Sequence, residues 1–396
     1  MATFQAWRRS GRGAAGLAPW HHSAMSPRRA ATTPAGSPRR TRLLVVTNIY
    51  PTPDRPNMSP FVARRVAALR DRGVEVAVAG PTSYRGNTLL RHLSIARRAL
   101  TARGPFDGVE SHPLYFAGVI GLLAARLRRV PMIAYAHGGD VADYALRNRI
   151  HGALARWVAH GAAAIVTNSR DTAGHVARLG AAATVVSPGV DMTVFHPSAS
   201  GASAVASPGP AAVDMERARL GAPAGLLALY VGTLSERKGA DTFAAGLDLA
   251  APAGWSGAMV GEGPLGAAIS AGHPGVGLFP PAPPAEVAAW MRAADVVVVP
   301  SRREPLGLAA VEALACATPV VAARVGGLVE VVRDGENGLL IPPDDPAALA
   351  AALDRLRDPK LRARLGAAGP ASVGDHDIAA AAARMAEVWA RLGVVA

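Results

Sequence analysis

Short apolar runs, most of them ending in glycine, proline, asparagine or serine, recur along this chain at regular intervals. In the first half they are "LLVVTN" (43–48), "VEVAVAG" (74–80), "FDGVES" (106–111), "PMIAYAHG" (131–138), "AAIVTNS" (163–169) and "ATVVSPG" (183–189). Near-continuous apolar runs of this length are expected of strands buried on both faces. Between them lie stretches with helical spacing. In "SPFVARRVAALRDRG" (59–73), Phe61, Val62, Val66 and Leu69 share a face and Gly73 supplies a stop. The rhythm breaks at residues 196–225, a Ser/Gly/Ala/Pro-rich stretch that reads as a linker or long inter-domain loop. It then resumes with "LLALYVG" (226–232), "SGAMVGEG" (256–263), "GVGLF" (275–279), "DVVVVPS" (295–301), "TPVVAA" (318–323) and "NGLLIPP" (337–343). A last helical stretch covers 377–392. Regular strand–helix alternation predicts an α/β protein of two doubly wound, Rossmann-like domains facing a central cleft. The expected divisions are a tail at 1–42, a first domain at 43–195, the linker at 196–225, a second domain at 226–374 and a closing helix at 375–396.

Composition changes this picture little. Half of the 396 residues are hydrophobic and aromatics make up only 5 %, so close-packed cores are easily built. Cys316 is the only cysteine, which excludes an internal disulfide and a cysteine-based zinc site. In "ALACATPVV" it reads as a small buried hydrophobe. The run "AGVIGLLAA" (117–125) is far short of the roughly 20 residues that a membrane span needs. The net charge of +13 is uneven: residues 1–42 hold eight arginines and no acid. That segment has no apolar periodicity and no apolar signal-peptide core, so it reads as a disordered tail. A translation start at Met25 is the competing explanation. A cytoplasmic protein is expected, with peripheral contact to the inner face of an anionic membrane through Arg64, Arg65, Arg70 and Arg72. A plain solvated face explains those arginines equally well.

Candidate chemistry gathers after the strands, where open α/β sheets bind ligands. "YVGTLSERKG" (230–239) places Gly232, Thr233, Arg237 and Lys238 between a strand and a helix start, a natural anion site. It is neither a Walker A loop nor GxGxxG, and a solvated Arg-Lys pair fits the same spacing. Gly261 and Gly263 of "VGEGP" either let a base or ribose approach or simply make a turn. In "SRREPLGLAAVEALACATPVV" (301–321), Pro305 suits the first position of a helix. Glu304 then sits at the helix mouth, and Gly307 and Leu308 offer free N–H groups in its first turn, with Leu306 beside them as a further donor-binding candidate. Glu312 lies eight residues on, roughly 12 Å along a helix axis, which matches the hexose-to-ribose span of a nucleotide sugar. Against this stands a simpler account, in which Glu304 complements the helix dipole and Glu312 pairs with a surface arginine. His137, Gly138 and Gly139 of "AYAHGGDV" end another strand, with Asp140 placed to cap the next helix. The other histidines show no metal-binding spacing.

Taken together, these segments resemble the retaining glycosyltransferases of family 4, with the GT-B fold, over roughly residues 43–392. The resemblance is strongest in 304–353, which is similar to that family's EX7E motif, the following "GG…E" turn and the "G.NGLL..P.D" hairpin, in order. "SPGVDMTVFHP" (187–197) and "NIYPTPDRPNMSPFVARRVAALRDRGVEVAV" (48–78) are similar to its domain connector and acceptor-side loop. The resemblance implies that Lys238, with help from Arg237, binds the donor diphosphate. Glu304 and His137, with Gly138 and Gly139, would contact the donor sugar. Gly307 and Leu308 would hold phosphate oxygens, and Glu312 the ribose. It implies a nucleoside diphosphate sugar (UDP- or GDP-linked) as donor, with no other cofactor and no metal. The acceptor would be a carbohydrate or lipid-linked hydroxyl, in cell-envelope, exopolysaccharide or glycolipid synthesis. Three departures stand out: Thr233 where the family often has arginine, Ala317 where it has glycine, and "DRPNMSP" (54–60) in place of a glycine pair, which brings in Asn57 and Ser59. A nucleotide-sugar 2-epimerase shares the two-domain cleft and is the rival within the fold. A nucleic-acid binder is disfavoured because basic and aromatic residues do not interleave.

Overall fold

In the computed structural model, residues 40–56, 58–145, 149–197 and 210–394 are described. Most of the expected tail, residues 198–209 of the expected linker, and Asn57 lie outside the described residues. The first lobe runs β1 (Arg42–Thr47), α1 (Pro60–Asp71), β2 (Glu75–Ala79), α2 (Thr88–Thr101), β3 (Gly108–His112), α3 (Ala117–Arg128), β4 (Met132–Ala136), a π-helical turn (Asp140–Ala145), α4 (Arg149–Gly161), β5 (Ala164–Thr167), α5 (Arg170–Ala177) and β6 (Thr184–Val185). The second lobe begins with α6 (Pro210–Leu220), β7 (Leu226–Val231), a 3-10 turn (Glu236–Lys238), α7 (Ala240–Ala250), β8 (Trp255–Val260), α8 (Gly266–Gly272) and β9 (Val276–Phe279). It continues through α9 (Pro284–Ala293), β10 (Val296–Val299), α10 (Leu308–Ala315), β11 (Val320–Ala323), α11 (Leu328–Val331), β12 (Gly338–Ile341), α12 (Pro346–Arg355) and α13 (Pro359–Val373), and α14 (Ile378–Arg391) ends the chain.

Each lobe holds a six-stranded, fully parallel sheet, in the orders β2-β1-β3-β4-β5-β6 and β12-β11-β10-β7-β8-β9. All twelve strands fall on the apolar runs read from the sequence. Strand order reverses between β1 and β3 in one sheet and between β7 and β10 in the other, and a crevice opens at such switch points. Helices α2, α3, α4 and α5 cover one face of the first sheet. The other face takes α1 and the chain's last helix: Trp389 and Met385 of α14 pack with Leu43, Leu69 and Tyr135. The crossing back is tied by hydrogen bonds from Val190 N to His376 O (2.8 Å) and from Ile378 N to Val190 O (2.9 Å).

Several expectations need correction. Arg42 belongs to β1, where its N–H bonds Asp107 Oδ2 (2.8 Å). Residues 210–220 of the expected linker form α6, because Arg217 anchors it. Its guanidinium bonds Ala293 O (2.8 Å), Gly225 O (2.9 Å) and Asp295 Oδ2 (2.7 Å). Helix α10 starts at Leu308 rather than Pro305, since Gly307 in front of it is left-handed (φ 96°). Ala317, the departure from glycine, is also left-handed (φ 59°), a conformation that glycine adopts without the Cβ clash. Arg65 faces inward, as described below, and Arg64 is half-buried near Glu312, so only Arg70 and Arg72 remain for an exposed face. Cys316 is buried, as read, and burial pushes its thiol up to about 12. Among the described residues no helix is long and apolar enough to cross a membrane.

Candidate active site

Between the two switch points lies a cavity of about 1260 Å³. Its second-lobe wall is built from two strand-end turns. One follows β7 and carries Arg237 and Lys238; the other follows β10 and carries Ser301 to Leu308. The run Ser301-Arg302-Arg303-Glu304 divides its labour. Arg302 bonds Asp241 with both guanidinium nitrogens (2.7 Å each) and also Asp344, which fastens the loop to the start of α7. Arg303 reaches Asp143 of the facing lobe (2.5 Å). Glu304, only 9 % exposed, accepts at Oε2 from Lys238 Nζ (2.5 Å) and Ser301 Oγ (3.1 Å). Lys238, the partner of Glu304, lies 66 positions away in sequence. One carboxylate oxygen and two ammonium hydrogens of this pair stay available to a ligand. The N–H groups of Gly307, Leu308 and Ala309 have no acceptor among the described residues, as expected where the first turn of a helix opens on a cavity.

The facing wall centres on His137, just after β4. Its Nε2 lies 3.0 Å from His112 Nδ1, and His112 Nε2 lies 2.8 Å from Glu110 Oε1. Glu110 also receives a two-point contact from Arg65 of α1 (Nη2 to Oε2 3.0 Å; Nε to Oε1). Burial alone would raise the Glu110 carboxyl, but Arg65 and His112 outweigh it and hold the group well below the usual carboxylate range. Burial holds both histidines below their ordinary value, His137 well below. Glu110 is therefore an acceptor only, His112 donates to it through Nε2, and His112 Nδ1 accepts from His137 Nε2–H. The relay leaves His137 neutral, with the lone pair on its Nδ1 unused among the described residues. Asp140 ties this turn together: its carboxylate accepts from His137 N and Leu114 N (2.9 Å each), and burial pushes it up to about 6. It bonds back toward the strands rather than capping forward. Gly138 (φ 103°) carries no side chain because a Cβ would fall 2.7 Å from Pro305 of the other lobe.

Both halves of the chain match known families. The pattern described as "Glycosyltransferase Family 4" matches residues 42–194, and "Glycosyl transferases group 1" matches residues 225–358. The D-inositol 3-phosphate glycosyltransferase of Thermomonospora curvata is 36 % identical over 350 residues, covering 78 % of each chain. That of Thermobispora bispora is 32 % identical over 326 residues, covering 74 % of this chain and 72 % of its own. The protein is a family-4 glycosyltransferase. Solved structures agree on the GT-B fold. Sucrose-phosphate synthase from Thermosynechococcus elongatus superposes with a TM-score of 0.75 at 23 % identity, over 90 % of this chain and 99 % of that one. Anabaena HepE, solved with UDP and glucose, gives 0.71 at 19 %, over 89 % and 100 %.

The glycosyltransferase brings most of the predicted residues to one cavity: His137, Gly138, Gly139, Arg237, Lys238, Glu304, Leu306, Gly307 and Leu308 all line it. So does Ser59, from the departing loop. Gly232, Thr233, Gly261 and Gly263 are not among its lining residues. The close approach that Gly261 and Gly263 permit is to the neighbouring turn: Cβ atoms there would meet Gly232 O at 2.0 Å and Leu234 O at 2.4 Å. Thr233 is exposed, and its carbonyl takes the Tyr230 hydroxyl (2.7 Å). Glu312 is also outside the lining. It is half-buried on α10, its carboxyl has no hydrogen-bond partner among the described residues, and burial pushes that carboxyl up to about 7 against the pull of Arg64. Sequence reasoning missed Arg65, Glu110 and His112. The available signal was "ESH" inside a buried strand, where Glu110 and His112, two apart, share a face.

Glu312 gives a pH test. Its folded value lies above its unfolded one, so the folded state holds the proton more tightly. This contribution is full below about 4.5 and is lost as pH rises through about 7. Glu312→Gln is therefore expected to stabilise the protein at pH 8, by on the order of 1–2 kcal/mol after discounting for partial exposure, and to do little at pH 4. Thermal melts at the two pH values check this.

Proposed function

We propose that the protein moves a hexosyl group from a UDP- or GDP-sugar to a hydroxyl of a carbohydrate or lipid-linked acceptor, with retention at the anomeric carbon and no metal ion. The observation that carries this reading is the Lys238–Glu304 pair at the β7/β10 switch point, opposite His137. Lys238, Arg237 and the free N–H groups of Gly307 and Leu308 would bind the diphosphate and take up its charge as it leaves. Glu304 Oε1 and His137 Nδ1 would accept hydroxyls of the donor sugar. Glu312 would hold the ribose diol, for which a ligand must reach past the cavity lining. In the transfer, the bond from the anomeric carbon to phosphate oxygen breaks. The acceptor oxygen bonds that carbon from the same face, and its proton passes to the leaving phosphate oxygen. No cofactor beyond the donor is needed for this sequence.

The relatives' names favour a second reading of the acceptor as a phosphorylated polyol, and Arg91 and His92, which line the cavity with no acidic partner among the described residues, suit such an anion. Both readings are tested by incubating the protein with UDP-, GDP- and ADP-sugars, with and without lipid-linked or phosphorylated acceptors, in chelator. NMR of the product then gives its anomeric configuration. Isomerised donor without acceptor would identify a 2-epimerase instead, and inverted product or a strict metal requirement would overturn the mechanism.

A further inference from the structure

Helices α2, α3 and α4 lie side by side on one face of the first sheet, with α3 between the other two. Of the thirteen large apolar side chains exposed among the described residues, eight stand on these three helices. On α2, Ile95 and Ala99 already fill the core, while Leu89, Leu90 and Leu93 point outward, each more than half exposed. Leu127 of α3 and Ile150 of α4, still more exposed, extend the same layer. A helix apolar on both faces needs a second apolar neighbour. The charge of this layer is as one-sided as its hydropathy. The three helices carry seven arginines and no aspartate or glutamate, and none of the seven forms an ion pair among the described residues. Thr88, Arg91 and His92 at the start of α2 line the large cavity, so this face borders its rim.

We infer that this face docks on a lipid bilayer rich in anionic headgroups. The leucines would enter the headgroup–acyl boundary while the arginines meet phosphates beside them. Charge excludes the competitors. A second copy would set the same unneutralised arginines against this face, and residues 1–39 bring six more arginines and no acid. Nucleic acid satisfies the arginines but offers the leucines nothing. Docking here places the cavity rim at the membrane surface, where a lipid-borne acceptor presents its hydroxyl. That consequence rests on the proposed function, whereas the docking itself does not.

The test is flotation of the full chain with vesicles of phosphatidylcholine alone or mixed with phosphatidylglycerol. Wild type is expected to float with the anionic vesicles and not with the neutral ones. Leu89→Gln/Leu90→Gln/Leu93→Gln should lower partitioning at least about tenfold with an unchanged circular dichroism spectrum, because exposed leucines hold no fold together. Arg97→Glu/Arg149→Glu/Arg156→Glu should abolish the preference for anionic lipid. The inference is overturned if wild type ignores anionic vesicles or if the leucine variant floats as well as wild type. A wild-type dimer that the leucine variant turns into a monomer in light scattering would also overturn it. Flotation involves no turnover, so any of these outcomes leaves the transferase reading standing, and a failed donor panel leaves the docking face standing.

Discussion

Lys238→Met and Glu304→Gln are each expected to lower kcat by about 100-fold or more while the protein stays folded. The two side chains share one bond, from Lys238 Nζ to Glu304 Oε2 at 2.5 Å, so each substitution disturbs the other residue. Removing Lys238 takes away the charge proposed to meet the leaving diphosphate. It also leaves the Glu304 carboxylate with Ser301 alone, in a setting only 9 % exposed. Removing the Glu304 charge keeps the shape but releases the ammonium from the position at which it would wait for phosphate. Residues that act as a unit are not additive, so the double variant should be little slower than the slower single one. Stability should follow a different pattern. Lys238→Met is expected to cost at most about 2 kcal/mol, since Lys238 is partly exposed, and the double variant should recover most of it. Turnover with a productive donor and thermal melts on all four proteins check both halves. A folded single variant with near-normal kcat would sink the assignment.

The strands were legible because each depends on a local pattern: an apolar run, a terminating glycine or proline, and a helical stretch before the next run. The cavity was legible for a related reason. A parallel sheet puts every strand's following turn at the same edge, so the turns after β7 and β10, neighbours across a switch point, had to converge, whereas the turn after β4 meets them only through the way the lobes face each other. What escaped depends on distant partners. Pro305 looked like a helix start by the usual preference, but Arg302, Asp241, Asp344, Lys238 and Glu304 together hold residues 301–307 as a loop. Helix α6 hid in a Ser/Pro-rich stretch because its anchor, Asp295, lies 78 positions from Arg217. In and just after α1, four arginines looked alike, and only Glu110, 45 positions on, decides that Arg65 turns inward. Glycines were ambiguous for the same reason. Gly138 and Gly263 look equivalent in sequence, yet one faces the other lobe and the other faces its own neighbouring turn.

Glu110→Ala is expected to carry the largest stability penalty, about 3–5 kcal/mol. Glu110 sits in the middle of β3, paired in register with Val45 on one side and Ile133 on the other, and its side chain is wholly buried. The substitution strands the Arg65 guanidinium, 14 % exposed, and frees His112 Nε2. Because the folded carboxyl is held well below its unfolded value, its contribution is present above about 4.5 and fades as pH falls toward the folded value. Urea unfolding at pH 7 and pH 4 should therefore show a smaller gap between wild type and Glu110→Ala at the lower pH. A difference below about 1 kcal/mol at pH 7 would contradict the buried-pair account. The double variant Arg65→Leu/Glu110→Leu separates fold from chemistry, because a buried ion pair replaced by apolar side chains of similar size often loses no stability. With Glu110 gone, His112 can carry its proton on Nδ1 and donate to His137 Nε2, which moves the His137 proton to Nδ1 and removes the lone pair proposed to accept a donor hydroxyl. A double variant that regains stability but has a raised donor KM and lowered kcat would show that the relay serves the tautomer of His137. Recovery of both would reduce it to a packing contact.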